Sequence, residues 1–231
     1  MEFDRRWLDP NKAGAELAAR AAEIAADPEL LAECFGGELE FGTAGLRGIL
    51  DAGTARMNRL TVGKATQGLA RVLLEDHDCP GVAIAYDSRH FSREFAEEAA
   101  LCLNANGIRA YVFDSLRPTP ELSFAVRELG CISGIVITAS HNPREYNGYK
   151  VYWEDGAQIT PPHDTGIMDE VKKVTKRLKE LEYEGYQFEG AEGTVELLIR
   201  KTIGKYKPFF KLNHFKTIGE NPWNNDDFTS T

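Results

Sequence analysis

The chain has 231 residues, 42% of them hydrophobic, which is enough to bury one well-formed core. Its 36 acidic and 27 basic residues give a formal net charge of −9, which argues against nucleic acid or an anionic membrane as the main partner. No apolar run approaches the ~20 residues of a membrane span, and the N-terminus lacks the features of a secretory signal. We therefore expect a cytoplasmic protein.

The first 37 residues predict a helical segment that packs on the domain after it. Asp9-Pro10 is a typical helix start, with an acidic cap and proline at the first helical position. Asp27-Pro28 predicts a second, short helix, which Gly36-Gly37 ends.

From residue 38 the pattern alternates between strands and helices. Strands are predicted at Leu39–Phe41, Val82–Tyr86, Tyr111–Phe113 and Gly134–Ile137. Helices are predicted at about Asn58–Glu75, around Phe95–Leu103 and from Thr119 to Leu129. This alternation is typical of an α/β fold, a layered domain whose sheet is largely parallel and flanked by helices.

Two features complete the predicted domain, which we place at residues 38–183. Asp155-Gly156 lies between Tyr149–Trp153 and Ala157–Thr160, which predicts a hairpin and makes the sheet mixed. An amphipathic helix follows from Ile167 to Leu181. For residues 184–231 the sequence leaves two alternatives open, a partial second domain or an irregular tail.

The cysteines indicate no disulfide framework and no zinc site. The sequence contains no Cys-x-x-Cys pair, and no histidine lies at the spacing from a cysteine that zinc sites use. Three of the cysteines lie in apolar or helical surroundings, so we expect buried free thiols. The four residues are Cys34, Cys79, Cys102 and Cys131.

A serine follows the predicted strand Gly134–Ile137, in the run Thr138–Pro143. This places Ser140 at the rim where open α/β sheets bind ligands. A serine hydrolase is disfavoured because the Gly-x-Ser-x-Gly elbow is absent. It is also disfavoured because His141, adjacent to Ser140 in an extended loop, is expected to point away from it. Phosphoryl transfer fits better, since it demands positioning and charge stabilisation rather than activation of the serine.

A glycine-rich segment lies upstream at Phe41–Gly48. Its glycines, three residues apart, allow tight turns and close approach to an anion, although neither the dinucleotide nor the Walker pattern occurs. Arg47 lies within this segment, and a guanidinium binds phosphate bidentately. We therefore expect a phosphate contact here.

Together three motifs resemble the α-D-phosphohexomutases, the phosphoglucomutase and phosphomannomutase family. They are Phe-Gly-Thr-Ala-Gly-Leu-Arg-Gly at 41–48, Thr-Ala-Ser-His-Asn-Pro at 138–143 and Tyr-Asn-Gly-Tyr-Lys at 146–150. The first is more similar to the phosphoglucomutase and phosphopentomutase branch. The resemblance implies the fold of the family's first domain. It also implies interconversion of hexose (or pentose) 1-phosphate and 6- (or 5-) phosphate through a bisphosphate intermediate.

The resemblance also implies roles for individual residues. Ser140 is expected to carry the phosphoryl group and to ligate a metal through its phosphate. Arg47 and Lys150 are expected to be catalytic, Lys150 as a phosphate ligand and a candidate for proton transfer. Further substrate or phosphate contacts are expected at Gly45, His141, Asn142 and Arg89.

The family holds Mg2+ between the phosphoserine and an Asp-Gly-Asp-x-Asp-Arg loop of a second domain, and this sequence contains no such loop. The sugar-recognition and distal phosphate loops are also missing. We therefore expect Mg2+ and a hexose 1,6-bisphosphate as cofactors, and a small phosphosugar and missing C-terminal domains as partners. We expect little turnover from this chain alone. The alternative is a non-catalytic sugar-phosphate-binding or interaction protein derived from such a domain.

Overall fold

The computed structural model describes residues 3–11, 13–42, 45–77, 81–183 and 215–218, with the backbone alone at 177–183 and 215–218. The strands are β1 (Gly45–Ile49), β2 (Gly81–Tyr86), β3 (Arg109–Phe113), β4 (Ser133–Ile137), β5 (Tyr146–Trp153) and β6 (Phe215–Ile218). The helices are α1 (Ala15–Ala25), α2 (Pro28–Phe35), α3 (Arg59–Asp76), α4 (Ser92–Ala105), α5 (Thr119–Glu128) and α6 (His163–Tyr183).

Within these ranges the strands form one sheet in the order β1-β5-β4-β2-β3-β6. Strands β4, β2, β3 and β6 run parallel to one another, while β5 is antiparallel to both β4 and β1. The carboxyl ends of the parallel strands therefore lie at one edge, which is where such sheets place their ligands. This arrangement confirms the predicted α/β fold with a mixed, largely parallel sheet.

The alternation of side chains along each strand divides the core between the two faces of the sheet. Ile84 and Ile135 pack with helices α3, α4 and α6 in the larger apolar cluster. Ala85 and Val136, their neighbours in sequence, pack with α5 in the smaller cluster on the opposite face. A third cluster joins the N-terminal helices to the start of α3 and includes Trp7.

The prediction of a strand at Leu39–Phe41 is wrong, because the strand lies at Gly45–Ile49, inside the predicted glycine-rich loop. Gly42 and Gly45 exchange two backbone hydrogen bonds of 3.0 Å, which close a tight turn before β1. The glycine-rich segment 41–48 contains three glycines, and these lack the apolar side chains by which a strand is predicted from sequence.

Other predicted boundaries also differ. The first helix begins at Ala15 rather than at Pro10, because Gly14 takes a φ of 85°, which no helical residue adopts. The second strand of the predicted hairpin is reduced to an isolated bridge between Tyr152 and Gln158. Within residues 184–231, predicted as a partial domain or a tail, β6 pairs with β3; the rest lies outside the described residues.

Three of the cysteines are confirmed as buried free thiols, namely Cys34, Cys102 and Cys131. Burial raises the pKa of Cys131 to about 12, and it raises the pKa of Cys102 further. Cys79 lies outside the described residues. Separately, no helix in the described part of the chain is long and apolar enough to cross a membrane.

Helix α3, which carries much of the core, begins at a buried cap. The Asn58 side chain accepts hydrogen bonds from the amides of Leu60 and Thr61, both 3.1 Å, and the Thr61 hydroxyl accepts one from the Asn58 amide. The Asn58 Nδ2 also donates to the carbonyls of Asp51 and Gly53. A single side chain thus joins the start of the helix to the loop before it.

We expect Asn58→Ala to lower the free energy of unfolding by about 2–3 kcal/mol, because it removes the cap and leaves buried carbonyls without donors. Urea unfolding measures this change. The control is Asp27→Ala, which removes the exposed cap of α2 and should cost about 1 kcal/mol or less. Equal losses in the two variants would contradict the importance of the buried cap.

Candidate active site

Ser140 lies at the carboxyl edge of the sheet, in the connection between β4 and β5 (residues 138–145, here the serine loop). Thr138 continues the pairing of β4, since its amide donates to the Gly148 carbonyl at 2.9 Å. The Thr138 hydroxyl then accepts a hydrogen bond from the Ser140 amide at 3.0 Å. Ser140 itself takes a left-handed φ of 57° and is exposed. The local backbone therefore presents the serine hydroxyl to solvent at the rim.

His141 lies closer to Ser140 than the sequence predicts. The Ser140 Oγ and His141 Nδ1 are 3.4 Å apart. The expectation that these side chains point apart is wrong, because the left-handed φ of Ser140 bends the backbone away from an extended conformation. The separation is longer than a strong hydrogen bond. The pair is therefore in contact without the tight geometry of a serine and its general base.

Arg47 and Lys150 project from the same face of the sheet. In the antiparallel pairing of β1 with β5, Gly45 lies opposite Lys150 and Arg47 lies opposite Gly148. Directly opposed residues share a face, as do residues two apart along a strand. Thus both cations lie on one face.

Helix α5 packs on this same face of the sheet, over β2 and β4. Leu46 and Tyr149, which alternate with Arg47 and Lys150, are buried in the cluster on the other side. Lys150 pairs with Val136 of β4, and Gly148 pairs with Thr138, two residues before Ser140. Lys150 thus lies beside the strand that leads to the serine, and Arg47 lies one strand further out on the same face.

These two cations have no counterion within the described part of the chain, where neither forms an ion pair or a side-chain hydrogen bond. Arg47 is exposed and Lys150 is half-buried. Two like charges on one face repel each other, and an anion placed between them relieves that repulsion. The arrangement is suited to a phosphate group.

Glycines are required where the strands that carry these cations meet. A Cβ at Gly148 would lie 2.6 Å from the Thr138 carbonyl oxygen and 2.9 Å from that of Leu46. Gly45 has a φ of 115°, and a Cβ there would clash with the Tyr149 carbonyl. The structure thus gives Gly45 a role in strand packing, while its predicted contact with phosphate stays a prediction.

Arg89 lies beside the serine loop, at the carboxyl end of β2. Its Nη2 donates to the carbonyls of Ser140 and Asn142, both at 2.7 Å. Its Nη1 donates to the carbonyls of Pro143 and Tyr146, at 2.8 and 3.1 Å. Arg89 was predicted to bind phosphate, and the structure directs both of its terminal nitrogens to the backbone instead.

Asn142 contributes an acceptor to the loop. Its amide donates to the Ala139 carbonyl at 3.1 Å. Its Oδ1 is buried and accepts no hydrogen bond from any described residue. A buried acceptor of this kind is satisfied when a donor binds beside it. The predicted role of Asn142 in binding stays a prediction.

Arg117, at the carboxyl end of β3, is engaged with its own loop and helix. It forms ion pairs with Asp114 at 3.5 Å and Glu121 at 3.2 Å. It also hydrogen-bonds Ser115 and the Leu116 carbonyl. These contacts give Arg117 a structural role before α5.

The described residues contain no cluster of three or more His, Cys, Asp or Glu side chains that could hold a metal ion. The side chain in contact with Ser140 is His141, and the site residues on β1 and β5 are the cations Arg47 and Lys150 rather than carboxylates. This donor set does not fit a complete magnesium site.

The chain is similar to known proteins of one family. The model of the family described as phosphoglucomutase/phosphomannomutase, alpha/beta/alpha domain I, matches residues 38–178. Phosphopentomutase of Pongo abelii is 43% identical over 178 residues, which cover 73% of this chain and 29% of that protein. Phosphoglucomutase of Staphylococcus haemolyticus is 50% identical over 122 residues, which cover 53% of this chain and 22% of that protein.

A solved structure shows the same fold. The chain is similar to the open form of parafusin, a phosphoglucomutase of Paramecium, with a TM-score of 0.51 and 25% identity. The similarity covers 59% of this chain and 26% of that one. The chain thus spans less than a third of the length of each of these three relatives.

The match to the family model begins at residue 38 and covers all three motifs. It extends over more than half of the chain, so the resemblance predicted from the motifs is confirmed. The chain belongs to the phosphoglucomutase/phosphomannomutase family and contains its alpha/beta/alpha domain I.

Proposed function

We propose that Ser140 carries the phosphoryl group in a sugar-phosphate mutase of the phosphoglucomutase type. The observation that supports this most is the placement of Arg47 and Lys150. They share one face of the sheet, on β1 and on β5, the neighbour of β4, and have no counterion among the described residues. A phosphorylated Ser140 would supply the missing anion. The exposed position of its hydroxyl leaves room for a donor to approach.

The chemistry is an exchange between serine and sugar. The Ser140 Oγ forms a bond to phosphorus as the bond from phosphorus to the sugar oxygen breaks, which converts a sugar bisphosphate to a monophosphate. The proton of the hydroxyl passes to the departing sugar oxygen, and Lys150 is the candidate that transfers it. Phosphoryl transfer depends chiefly on positioning and charge stabilisation, which Arg47 and Lys150 are placed to provide.

The proposed substrates are sugar monophosphates. Relatives of this chain are named phosphopentomutase and phosphoglucomutase, and both names denote movement of a phosphoryl group on a sugar. We propose a hexose or pentose 1-phosphate, with the 1,6- or 1,5-bisphosphate as the intermediate. Mg2+ is the family's usual metal; when bound, it would offset the charge of the transferring group. Its aspartate ligands would have to come from outside the described residues.

A second candidate is a binding or interaction protein without turnover. The sequence lacks the Asp-Gly-Asp-x-Asp-Arg loop, and this favours the second candidate for the chain by itself. The two candidates differ in one observable property. Phosphorylation of Ser140 without product turnover, even after the remaining domains of a relative are added, would indicate the binding role.

The proposal predicts a kinetic effect at the two cations. We expect Arg47→Met and Lys150→Met each to slow phosphoryl uptake from labelled glucose 1,6-bisphosphate by about 100-fold or more, as removal of one charge-stabilising donor does elsewhere. The rate of label incorporation under single-turnover conditions measures this. Lys172→Met is the matched control, because Lys172 is an exposed lysine of α6. Wild-type rates in both site variants would remove the support for the proposal.

A further inference from the structure

We propose that Arg89, held by Asp87, is a positioning residue that fixes the serine loop for phosphoryl transfer. The inference rests on the proposed function of Ser140, and it assigns Arg89 a different task from the phosphate contact that the sequence predicts. Arg89 acts on the reaction through the backbone of the loop.

The first observation is the span of the loop that one guanidinium holds. The carbonyl oxygens of Ser140, Asn142, Pro143 and Tyr146 converge on the Nη1 and Nη2 of Arg89, at 2.7–3.1 Å. A guanidinium has a rigid, planar set of donors, so four acceptors on one guanidinium fix one another's positions. The contacts run from the serine itself to the first residue of β5.

The second observation is that Arg89 is itself fixed. Its amide donates to the Asp87 Oδ1 at 3.0 Å, and its Nε lies 3.4 Å from the Asp87 Oδ2. Asp87 also accepts a hydrogen bond of 2.7 Å from the Ser92 hydroxyl, at the first residue of α4. The Arg89 side chain is only 14% exposed. The guanidinium is therefore held between β2 and α4, two elements of the core.

A third observation ties the far end of the loop to the same segment. Asn147, the second residue of β5, is fully buried. Its Nδ2 donates to the His90 carbonyl and to the Ser92 hydroxyl, both at 3.0 Å. Residues 87–92 thus hold the serine loop at Ser140 and again where β5 begins.

The conformation of Ser140 explains why such support is needed. A non-glycine residue with a left-handed φ costs roughly 1–2 kcal/mol and persists only when its surroundings hold it. Arg89 binds the carbonyl of that residue. Because the Nε faces Asp87 and both terminal nitrogens face carbonyls, a phosphate at Arg89 would have to displace contacts that the loop uses. The geometry therefore favours positioning over ligand binding.

The test compares Arg89→Ala and Arg89→Lys with Arg93→Ala. Arg93 is a matched control, since it lies on α4, is 67% exposed and pairs with Glu97. Three quantities are measured on the whole chain: amide hydrogen exchange at residues 138–148, the saturated rate of phosphoryl uptake from glucose 1,6-bisphosphate, and the half-saturating concentration of that uptake. The lysine variant keeps the charge but not the fork of donors.

We expect both Arg89 variants to exchange faster in the serine loop than the wild type, with β2 and β4 unchanged. We expect the saturated rate of uptake to fall by about 100-fold, as for a small misplacement of a reacting group, while the half-saturating concentration changes little. The Arg93 variant should match the wild type in all three quantities.

Three outcomes would overturn the inference: unchanged exchange in the loop, full activity of the lysine variant, or a raised half-saturating concentration at an unchanged rate. The last would identify Arg89 as a phosphate ligand. If circular dichroism shows that the Arg89→Ala variant does not fold, the measurements on Arg89→Lys decide the test. Absence of uptake by the wild type would refute the proposed function, and the exchange data would still decide whether Arg89 holds the loop.

Discussion

Substitution of Ser140 by alanine should abolish phosphoryl uptake from glucose 1,6-bisphosphate. The exposed Ser140 hydroxyl at the end of β4 is the group to which we assign the new bond to phosphorus. Removal of a nucleophile leaves no alternative route through the site, and comparable losses in other enzymes reach about 10⁶-fold. We expect a fall of at least ~10³-fold, to the background of a single-turnover labelling assay.

Ser88→Ala is the matched control for this experiment. Ser88 is an exposed serine at the carboxyl end of the neighbouring strand β2. The Ser88→Ala variant should take up label at the wild-type rate. Label that persists in the Ser140 variant, or is lost in the Ser88 variant, would place the acceptor elsewhere on this edge of the sheet.

The second large effect that we predict is a lack of mutase turnover by the chain of 231 residues alone. We expect it to show no useful conversion of glucose 1-phosphate to glucose 6-phosphate, even with Mg2+ and bisphosphate. The sequence lacks the family's metal, sugar and distal phosphate loops. Loss of one stabilising contact of the oxyanion-hole type already costs on the order of 3 kcal/mol, or ~100-fold. Several such losses together leave little transition-state stabilisation.

A coupled assay that follows glucose 6-phosphate tests this prediction. Addition of the remaining domains of a relative in trans, or as a fusion, is the informative comparison. Turnover by the chain alone near the usual enzyme range of ~1–1000 per second would contradict the prediction. No turnover, together with label on Ser140, would fit a phosphoryl-carrying domain that needs other parts for the full reaction.

The core strands could be predicted from sequence because each is a short apolar run between turn residues. The prediction of Gly134–Ile137 differs from β4 by one residue, and Val82–Tyr86 lies within β2. Strand β1 was missed because glycines replace the usual β-branched residues in it. Its pairing with β5 is a long-range contact, and local sequence does not show such contacts.

The serine, arginine and lysine of the candidate site could be selected from their motifs, and the register of β1 on β5 explains why the arginine and the lysine share one face. The geometry around them could not be predicted. The contact of His141 with Ser140 depends on one left-handed residue, and the contacts of Arg89 depend on the path of the whole loop. Such features depend on backbone conformation, and a motif gives only residue types.

The most direct test of the account is to locate the phosphoryl group. The wild-type chain is incubated with glucose 1,6-bisphosphate, digested and mapped by tandem mass spectrometry. The account predicts one phosphoryl group, on Ser140 in the peptide that also contains His141. A phosphoryl group on any other residue, with Ser140 unmodified, would contradict it.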